Sequence, residues 1–323
     1  MGSLVEPLAN RGSSSDGVRA ALARTPTARS RYEGAIKALL AAAAAVSVLT
    51  TMAIVVSLIR ETVSFFEQVA VGDFLFGDKW TPLLNGDQQS FGVLPLIWGT
   101  LYLSLIGLAV AIPLGLLSAI YLSEYASPRV RRTIKPVLEL LAGVPTVVFG
   151  FFALTFFTPE VLKGLLGIEV GTFNGLGAGI VLGFLVLPTI ASVAEDAMSA
   201  VPRALREGAF GLGANRRQVA LRVVFPAPLS GIVAALVLGA SRAVGETVII
   251  LVAGGTVARL SLDPTEGFQS MAAYIAFVSR GEAATGSVEY LTLFAVGLTL
   301  FVLTLALNMI SIRLVNRYRQ VYD

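Results

Sequence analysis

Six long apolar runs constrain this chain more than any other feature of its sequence. They cover roughly residues 36–59, 91–122, 134–157, 176–194, 228–253 and 290–312. A helix needs about 20 apolar residues to cross a bilayer, and each run is about that length or longer. Only 14% of the residues are charged, whereas soluble domains carry about 25%. The sequence therefore predicts an all-α, polytopic membrane protein with about six transmembrane helices.

The distribution of Lys and Arg predicts the orientation of these helices. The two tails and the loops 123–135 and 202–222 hold eighteen of these residues, and the three alternate loops hold five. Because cytoplasmic segments carry the excess of Lys and Arg, both termini are expected in the cytoplasm. Residues 1–35 are predicted to form a disordered basic cytoplasmic tail. Residues 36–323 form the membrane domain, with an acidic outer segment at about 60–90.

The residue inventory excludes several kinds of chemistry. The chain has no Cys and no His, which excludes disulfides, thiol nucleophiles, imidazole bases and the usual zinc ligands. The phosphate-binding loop of an ATPase requires a Lys followed by Ser or Thr. The four lysines are followed by Ala, Trp, Pro and Gly. We therefore expect a protein that is not an enzyme and binds no cofactor directly.

Two ionisable residues, Arg242 and Glu246, interrupt the fifth apolar run. A spacing of four residues places both on one face of a helix, where they can pair. The pair either fixes helix packing or forms an anion gate. In the gate, the planar guanidinium binds an oxyanion, and Glu246 holds Arg242 when substrate is absent. Glu139, near the inner end of the third run, is a weaker candidate for gating, a hinge or packing.

The cytoplasmic loop at about 201–226 carries regularly spaced anchors. They are Glu207, Gly208, Ala209, Gly213 and Pro226. This spacing resembles the loop of ATP-binding-cassette (ABC) importer permeases, although Gly208 stands where Ala is usual. The resemblance implies a short helix that docks into a cleft on a cytoplasmic ATPase. The alternative is an ordinary basic inner loop.

The residues of this loop favour the same local structure. Pro202 suits a first helical turn, and Gly211 and Gly213 suit a left-handed helix end. Leu205, Ala209 and Leu212 recur at three- or four-residue steps. They are predicted to form a small apolar face that a partner can cover.

Three further stretches narrow the resemblance to one family. Residues 80–128, residues 138–154 and the segment SRAVGET at 241–247 are similar to the permeases of the phosphate-specific ABC importer. The outer segment resembles the PstC type more than its PstA-type sister. The resemblance implies a type I ABC importer permease fold that forms half of a path for inorganic phosphate. It places Arg242 and Glu246 in that path.

The resemblance also implies partners. They are a PstA-type permease, a dimer of PstB-type ATPase subunits that bind ATP and magnesium, and an extracytoplasmic PstS-type phosphate-binding protein. The assembly would lie in the lipid of a bacterial inner membrane, and no nucleic acid is involved.

Other functions stay open at this point. Another oxyanion, such as sulfate or molybdate, is the alternative within the same class. Glu246 can accept a hydrogen bond from a protonated phosphate oxygen and repels sulfate, which favours phosphate. An ion-coupled carrier with Glu246 as its proton site needs no docking helix. A purely structural scaffold leaves the buried charges without a purpose.

Overall fold

The computed structural model describes residues 28–84 and 86–318, and their regular structure is helical apart from one bridge between Trp80 and Phe91. The helices are α1 (Ala28–Phe66), α2 (Val71–Phe76), α3 (Leu94–Ile120), α4 (Pro128–Ala142), α5 (Thr146–Phe152), α6 (Gly175–Ser199), α7 (Arg203–Gly211), α8 (Arg216–Val219), α9 (Leu229–Val244), α10 (Met271–Val278) and α11 (Val288–Tyr318). The π-helical segments Tyr121–Tyr125, Ala153–Leu165 and Ala220–Val224 extend α3, α5 and α8, and a fourth covers Ile250–Gly254.

The chain divides into two compact units, residues 1–57 and 58–323. The described part of the first unit is helical throughout, because α1 begins at Ala28. Residues 28–35, which we predicted as the end of a disordered tail, are thus helical. The remainder of that predicted tail, residues 1–27, lies outside the described residues.

The helices include enough apolar spans to cross a membrane about six times. Five qualify by length and composition: Tyr32–Phe66, Leu94–Tyr125, Thr146–Leu165, Gly175–Ser199 and Val288–Arg313. A sixth span results if Arg216–Val224 and Leu229–Val244 are counted together across their 77° bend. The predicted fold class is thereby confirmed at the level of helix content and span number.

The boundaries predicted for the third span, residues 134–157, are wrong. Its first part belongs to α4, which ends at Ala142, and the apolar span begins only at Thr146. Pro145 disfavours helical dihedral angles in the residue before it and has no amide N–H to donate. A continuous apolar run in the sequence therefore conceals two helices with a break between them.

The fifth predicted span, residues 228–253, is also interrupted. Helix α9 ends at Val244, and Gly245 to Thr247 form a non-helical break before the chain becomes helical again. Arg242 lies in the last turn of α9, and Glu246 lies in the break. The two ionisable residues are therefore not on one continuous helix.

The second unit is built around the packing of α3 against α6. Buried residues of α3 recur every four positions as small or apolar residues: Gly99, Leu103, Gly107, Ala111, Gly115 and Ala119. A Cβ atom at Gly183 of α6 would lie 2.7 Å from the carbonyl oxygen of Gly107. Small residues let helix backbones approach closely in lipid, and this contact fixes the frame on which the other helices pack.

The predicted outer segment at 60–90 is not a loose loop. Phe65, Phe74 and Trp80 are buried in one apolar cluster with Tyr274 of α10. The rings of Trp80 and Tyr274 meet edge to face, with centroids 4.9 Å apart. Aromatic packing thus attaches the segment between α1 and α3 to the body of the second unit.

Substituting Gly183 with Ala should destabilise the protein by about 1–3 kcal/mol, because the added methyl group overpacks against the Gly107 backbone. The measurement is thermal unfolding of the purified protein in detergent. Gly208→Ala is the matched control, since a Cβ atom at Gly208 meets no heavy atom within 4 Å. Removing Gly from the α7 interior should stabilise that helix by up to about 1 kcal/mol. Equal melting temperatures for both variants would contradict close packing of α3 on α6.

Candidate functional site

Arg242 is held where three helices meet. Its Nη1 atom donates to Thr189 Oγ1 of α6 at 2.9 Å, and its Nη2 atom donates to the Ala142 carbonyl oxygen at 3.1 Å. The guanidinium is half-buried. The sequence identified Arg242, but its two partners were missed because both lie far away along the chain.

Each of the three helices is irregular at this point. Helix α4 ends at Ala142, α6 contains Pro188 next to Thr189, and α9 ends two residues after Arg242. The last carbonyl groups of a helix lack intrahelical donors, so Arg242 bonds a carbonyl that the end of α4 makes available. Broken helices at membrane depth are tolerated where they are buried in protein or line a cavity.

Glu246 has different hydrogen-bond partners from the predicted one, Arg242. Its Oε1 atom accepts from the backbone N–H groups of Val248 at 3.0 Å and Ile249 at 3.2 Å. The side chain is buried and caps the helical turn that follows the break, where a negative charge is favourable. Arg242 and Glu246 form no ion pair in the part of the chain that the structure describes. The break at Gly245 separates the two residues, so the Arg242 guanidinium and the Glu246 carboxylate each have their own hydrogen-bond partners.

This geometry leaves Arg242 able to bind an anion. A guanidinium has five N–H donors in a planar fork, and only two hydrogen bonds from Arg242 occur within the described residues. The remaining donors suit the oxygens of a tetrahedral oxyanion. The nearby carboxylate of Glu246 is satisfied by backbone, so it does not quench the positive charge by pairing.

Glu139 lies on the exposed side of α4, in the wall of a cavity of about 500 Å³. Arg131, Arg132 and Lys135 line the same cavity. Glu139 forms no ion pair or side-chain hydrogen bond with any residue in the described ranges. Among the described residues Glu139 therefore makes no polar contact with Arg242, although it lies one helical turn before Ala142.

A buried carboxylate that sequence reasoning missed, Glu195 of α6, ties α4 to α6. It pairs with Arg131, and Lys135 Nζ donates to its Oε2 atom at 2.8 Å and also contacts Asp196. Burial alone would lower the pKa of Lys135, but its hydrogen bonds to Asp196 and Glu195 raise it above the usual value. The sequence did contain a signal for this contact. Glu195 and Asp196 directly follow the fourth apolar run, and their charge is complementary to that of the basic loop 123–135.

The predicted docking loop has the expected helix. Helix α7 begins after Pro202, and Gly213 adopts a left-handed conformation with φ +86°. Asn215 and Gln218 then form reciprocal side-chain-to-backbone hydrogen bonds that start α8. Pro226 lies in the turn between the end of α8 and α9, where the chain bends by 77°.

The exposed face of α7 differs from the predicted one. Glu207 and Gly208 are exposed, whereas Ala209 packs against the apolar core of the second unit. Leu212 is 91% exposed, and Leu205 and Phe210 are also exposed. The apolar side chains available to a partner are therefore Leu205 and Leu212 on one side of the helix and Phe210 on another, with Ala209 turned inward.

Arg206 anchors α7 to the membrane helices, a contact that the sequence did not reveal. Its Nε and Nη2 atoms donate to Glu124 Oε1 at 3.1 and 3.0 Å. It also donates to the carbonyl oxygens of Val201 and Met198. The Glu124 and Arg206 side chains are 7% and 17% exposed. A nearly buried ion pair therefore links α7 to the end of α3, so a movement of α7 would act on that end.

Comparison with known families identifies relatives over most of the chain. Residues 111–320 match the family described as binding-protein-dependent transport system inner membrane component. A probable ABC transporter permease protein, YqgH of Bacillus subtilis, is 36% identical over 250 residues, covering 77% of this chain and 79% of that protein. The phosphate transport system permease protein PstC of Mesorhizobium japonicum is 32% identical, covering 72% and 74% respectively. PstC 1 of Mycobacterium tuberculosis is 36% identical, covering 70% and 73%.

Solved structures of ABC transporter chains share this fold. A chain of a bacterial ABC transporter involved in alginate import aligns with a TM-score of 0.61 at 18% identity, over 90% of this chain and all of that chain. A chain of the methionine transporter MetNI in an inward-facing conformation aligns with a TM-score of 0.51 at 20% identity, over 71% and 95%. The predicted type I ABC importer permease fold is thereby confirmed.

Replacing Glu124 with Gln should destabilise the protein by about 3 kcal/mol, because it leaves Arg206 nearly buried without a charged partner. The measurement is thermal unfolding of the purified protein. Arg203→Gln is the control, since Arg203 lies on α7 and is exposed, and its loss should change stability by less than about 0.5 kcal/mol. If the two variants unfold together, Arg206 does not anchor α7 through Glu124.

Proposed function

This chain belongs to the family of inner-membrane components of binding-protein-dependent transport systems, and we propose that it is a PstC-type permease of an ATP-driven importer of inorganic phosphate. It is a multi-pass membrane protein and forms half of the translocation path. The observation that carries this proposal is Arg242, which is half-buried between two helix ends and the Pro188 region of α6 and has donors left over for an anion.

The choice of phosphate rests on two separate supports. Relatives that are 30–36% identical over about three quarters of the chain are phosphate transport permeases. The local charges also favour phosphate, because Glu246 supplies a carboxylate four residues along the chain from Arg242. Phosphate retains a proton near neutral pH and can donate a hydrogen bond to a carboxylate, whereas sulfate carries no proton and is repelled. Sulfate and molybdate are therefore disfavoured as substrates.

Arg242 acts as the anion-binding residue in this proposal. When the path is closed, Thr189 and the Ala142 carbonyl hold the guanidinium in place of substrate. An arriving oxyanion replaces these neutral acceptors with charged oxygens, which form stronger hydrogen bonds with a guanidinium. Glu246 stays on the backbone of Val248 and Ile249 and presents its free carboxylate oxygen to a phosphate hydroxyl group.

The loop 201–226 couples this path to ATP hydrolysis. The exposed Leu205 and Phe210 of α7 and Leu212 directly after it insert into a cleft on a PstB-type ATPase subunit. Glu207, Gly208 and Gly213 shape the loop, and Pro226 turns the chain into α9. The Arg206–Glu124 pair carries displacement of α7 to α3. ATP and magnesium bind to the ATPase dimer, and its closure switches access to the path between the two sides.

The rest of the assembly follows from the same proposal. A PstA-type permease supplies the other half of the path, and a PstS-type protein delivers phosphate at the outer face. Both termini lie in the cytoplasm of a bacterial cell, as the excess of Lys and Arg in alternate loops predicts. An ion-coupled carrier is disfavoured, because the exposed apolar face of α7 would then have no partner.

Replacing Arg242 with Gln should lower ATP-dependent phosphate uptake about 10- to 100-fold, because a charge-assisted hydrogen bond contributes about 1.5–3 kcal/mol. The measurement is uptake of labelled phosphate by the reconstituted complex of both permeases, the ATPase dimer and the binding protein. Arg242→Lys retains the charge but loses the planar fork, and it should give an intermediate rate. Wild-type uptake by Arg242→Gln in an intact complex would refute the role of Arg242.

Replacing Glu246 with Gln should make sulfate an effective competitor of phosphate uptake, with at least a roughly tenfold rise in its inhibitory potency as the repulsive charge is removed. Gln keeps an oxygen that can accept from Val248 and Ile249, so the local fold is preserved. Competition is measured with labelled phosphate at fixed concentration and increasing sulfate. Unchanged resistance to sulfate would show that Glu246 does not contribute to selection.

A further inference from the structure

The two groups that hold Arg242 differ in what they can offer an anion. Its Nη1 atom donates to the hydroxyl oxygen of Thr189 at 2.9 Å, and its Nη2 atom donates to the carbonyl oxygen of Ala142 at 3.1 Å. A carbonyl oxygen can only accept hydrogen bonds, whereas a hydroxyl group accepts with its oxygen and also has a proton to donate. Of the two groups, only the Thr189 hydroxyl can therefore bond an oxyanion directly.

The hydroxyl proton of Thr189 is not taken up by its own helix. Elsewhere in the membrane helices a threonine hydroxyl donates to the carbonyl oxygen four residues earlier, as those of Thr100 and Thr299 do at 2.7 and 2.8 Å. In the part of the chain that the structure describes, the Thr189 side chain accepts from Arg242 and donates to no other residue. Its proton therefore remains available for a ligand.

Close packing of α6 on α9 fixes the position of Thr189 relative to Arg242. Val186 and Ile190, on either side of Thr189 in α6, are fully buried. A Cβ atom at Gly239 of α9 would lie 2.7 Å from the Cγ1 atom of Ile190, so the two helices approach closely about one turn before Arg242. Thr189 itself is only half-buried. Its hydroxyl group is thus held beside the guanidinium and can be reached by a ligand.

We propose that Thr189 is a second anion-binding residue of the phosphate path, an inference that rests on the proposed function of Arg242. In the empty path, the Thr189 oxygen accepts from Nη1 of Arg242. When an oxyanion oxygen takes that place on the guanidinium, the hydroxyl lies beside the same ligand. Rotation about the Cβ–Oγ1 bond then turns it from an acceptor into a donor to the anion. Hydrogen bonds from a hydroxyl group to a charged oxygen are short and strong.

Thr189 and Glu246 have complementary roles in this proposal. Arg242 and Thr189 bind unprotonated oxygens of the anion, and Glu246 accepts from the protonated oxygen of phosphate. A hydroxyl donor serves phosphate and sulfate alike, so Thr189 contributes binding and Glu246 contributes the selection between them. Removing the Thr189 hydroxyl should therefore slow phosphate transport without making sulfate a better competitor.

The experiment measures labelled phosphate taken up per ATP hydrolysed by the reconstituted importer, supplied with saturating phosphate-loaded binding protein. Thr189→Val retains the branched shape and loses the hydroxyl group. It should lower this ratio about tenfold, the lower end of the effect of one hydrogen bond to a charged group. Thr189→Ser retains the hydroxyl group and should keep at least about half of the wild-type ratio. Thr189→Ala also lacks the hydroxyl group, should resemble Thr189→Val, and replaces it if the Val variant does not assemble.

Thr299→Val is the matched control. Thr299 is a half-buried threonine of α11 whose hydroxyl group is bonded to its own backbone, so its loss should leave the ratio unchanged. A wild-type ratio in the two variants without the hydroxyl group would overturn the proposal. So would a ratio in Thr189→Ser as low as that in Thr189→Val, or a rise in sulfate inhibition in Thr189→Val, because either would show an effect of shape.

Failure of this inference can be told apart from failure of the proposed function. If Arg242→Gln impairs uptake and Thr189→Val does not, Arg242 keeps its proposed role and Thr189 does not bind the anion. Wild-type uptake by both variants would refute both proposals.

Discussion

The need to satisfy every polar group inside a bilayer governs this structure. A guanidinium in hydrocarbon requires partners, and so does each carbonyl at the end of an interrupted helix. Arg242 meets both needs, because it donates to Ala142 at the end of α4 and to Thr189 beside Pro188 of α6. The helix breaks and the buried charge therefore stabilise each other. The anion site that we propose would form at Arg242 because these partners are neutral and can be exchanged for charged oxygens.

The packing of α3 on α6 supplies the rigid frame for that site. The small residues Gly107 and Gly115 of α3 let the two backbones come together, and α6 carries Thr189 at one level and Glu195 at another. Glu195 binds Arg131 and Lys135 of α4. Helix α4 is thus fixed to the frame near its start by ion pairs and contacts Arg242 at its end. The position of the Ala142 carbonyl follows from both attachments.

The docking helix is linked to the same frame. Arg206 of α7 binds Glu124 in the π-helical turn that ends α3, only a few residues before α4 begins at Pro128. A displacement of α7 therefore acts first on the junction between α3 and α4. The Arg206–Glu124 pair therefore lies next to the start of the helix whose last residue, Ala142, binds Arg242.

The sequence by itself determined that this is a membrane protein with about six spans and that a helix precedes Gly213. It also identified Arg242 and Glu246 as ionisable residues within an apolar run. Each depends on composition, local spacing or backbone preference, which adjacent residues fix. It gave wrong boundaries for the third span and wrongly paired Arg242 with Glu246, because apolar runs do not report where Pro145 and Gly245 interrupt a helix. The partners Thr189, Ala142, Glu124 and Glu195 depended on tertiary structure alone. A buried charge selects its partner by proximity in the folded chain, and no local pattern encodes which distant helix end will lie within hydrogen-bonding distance.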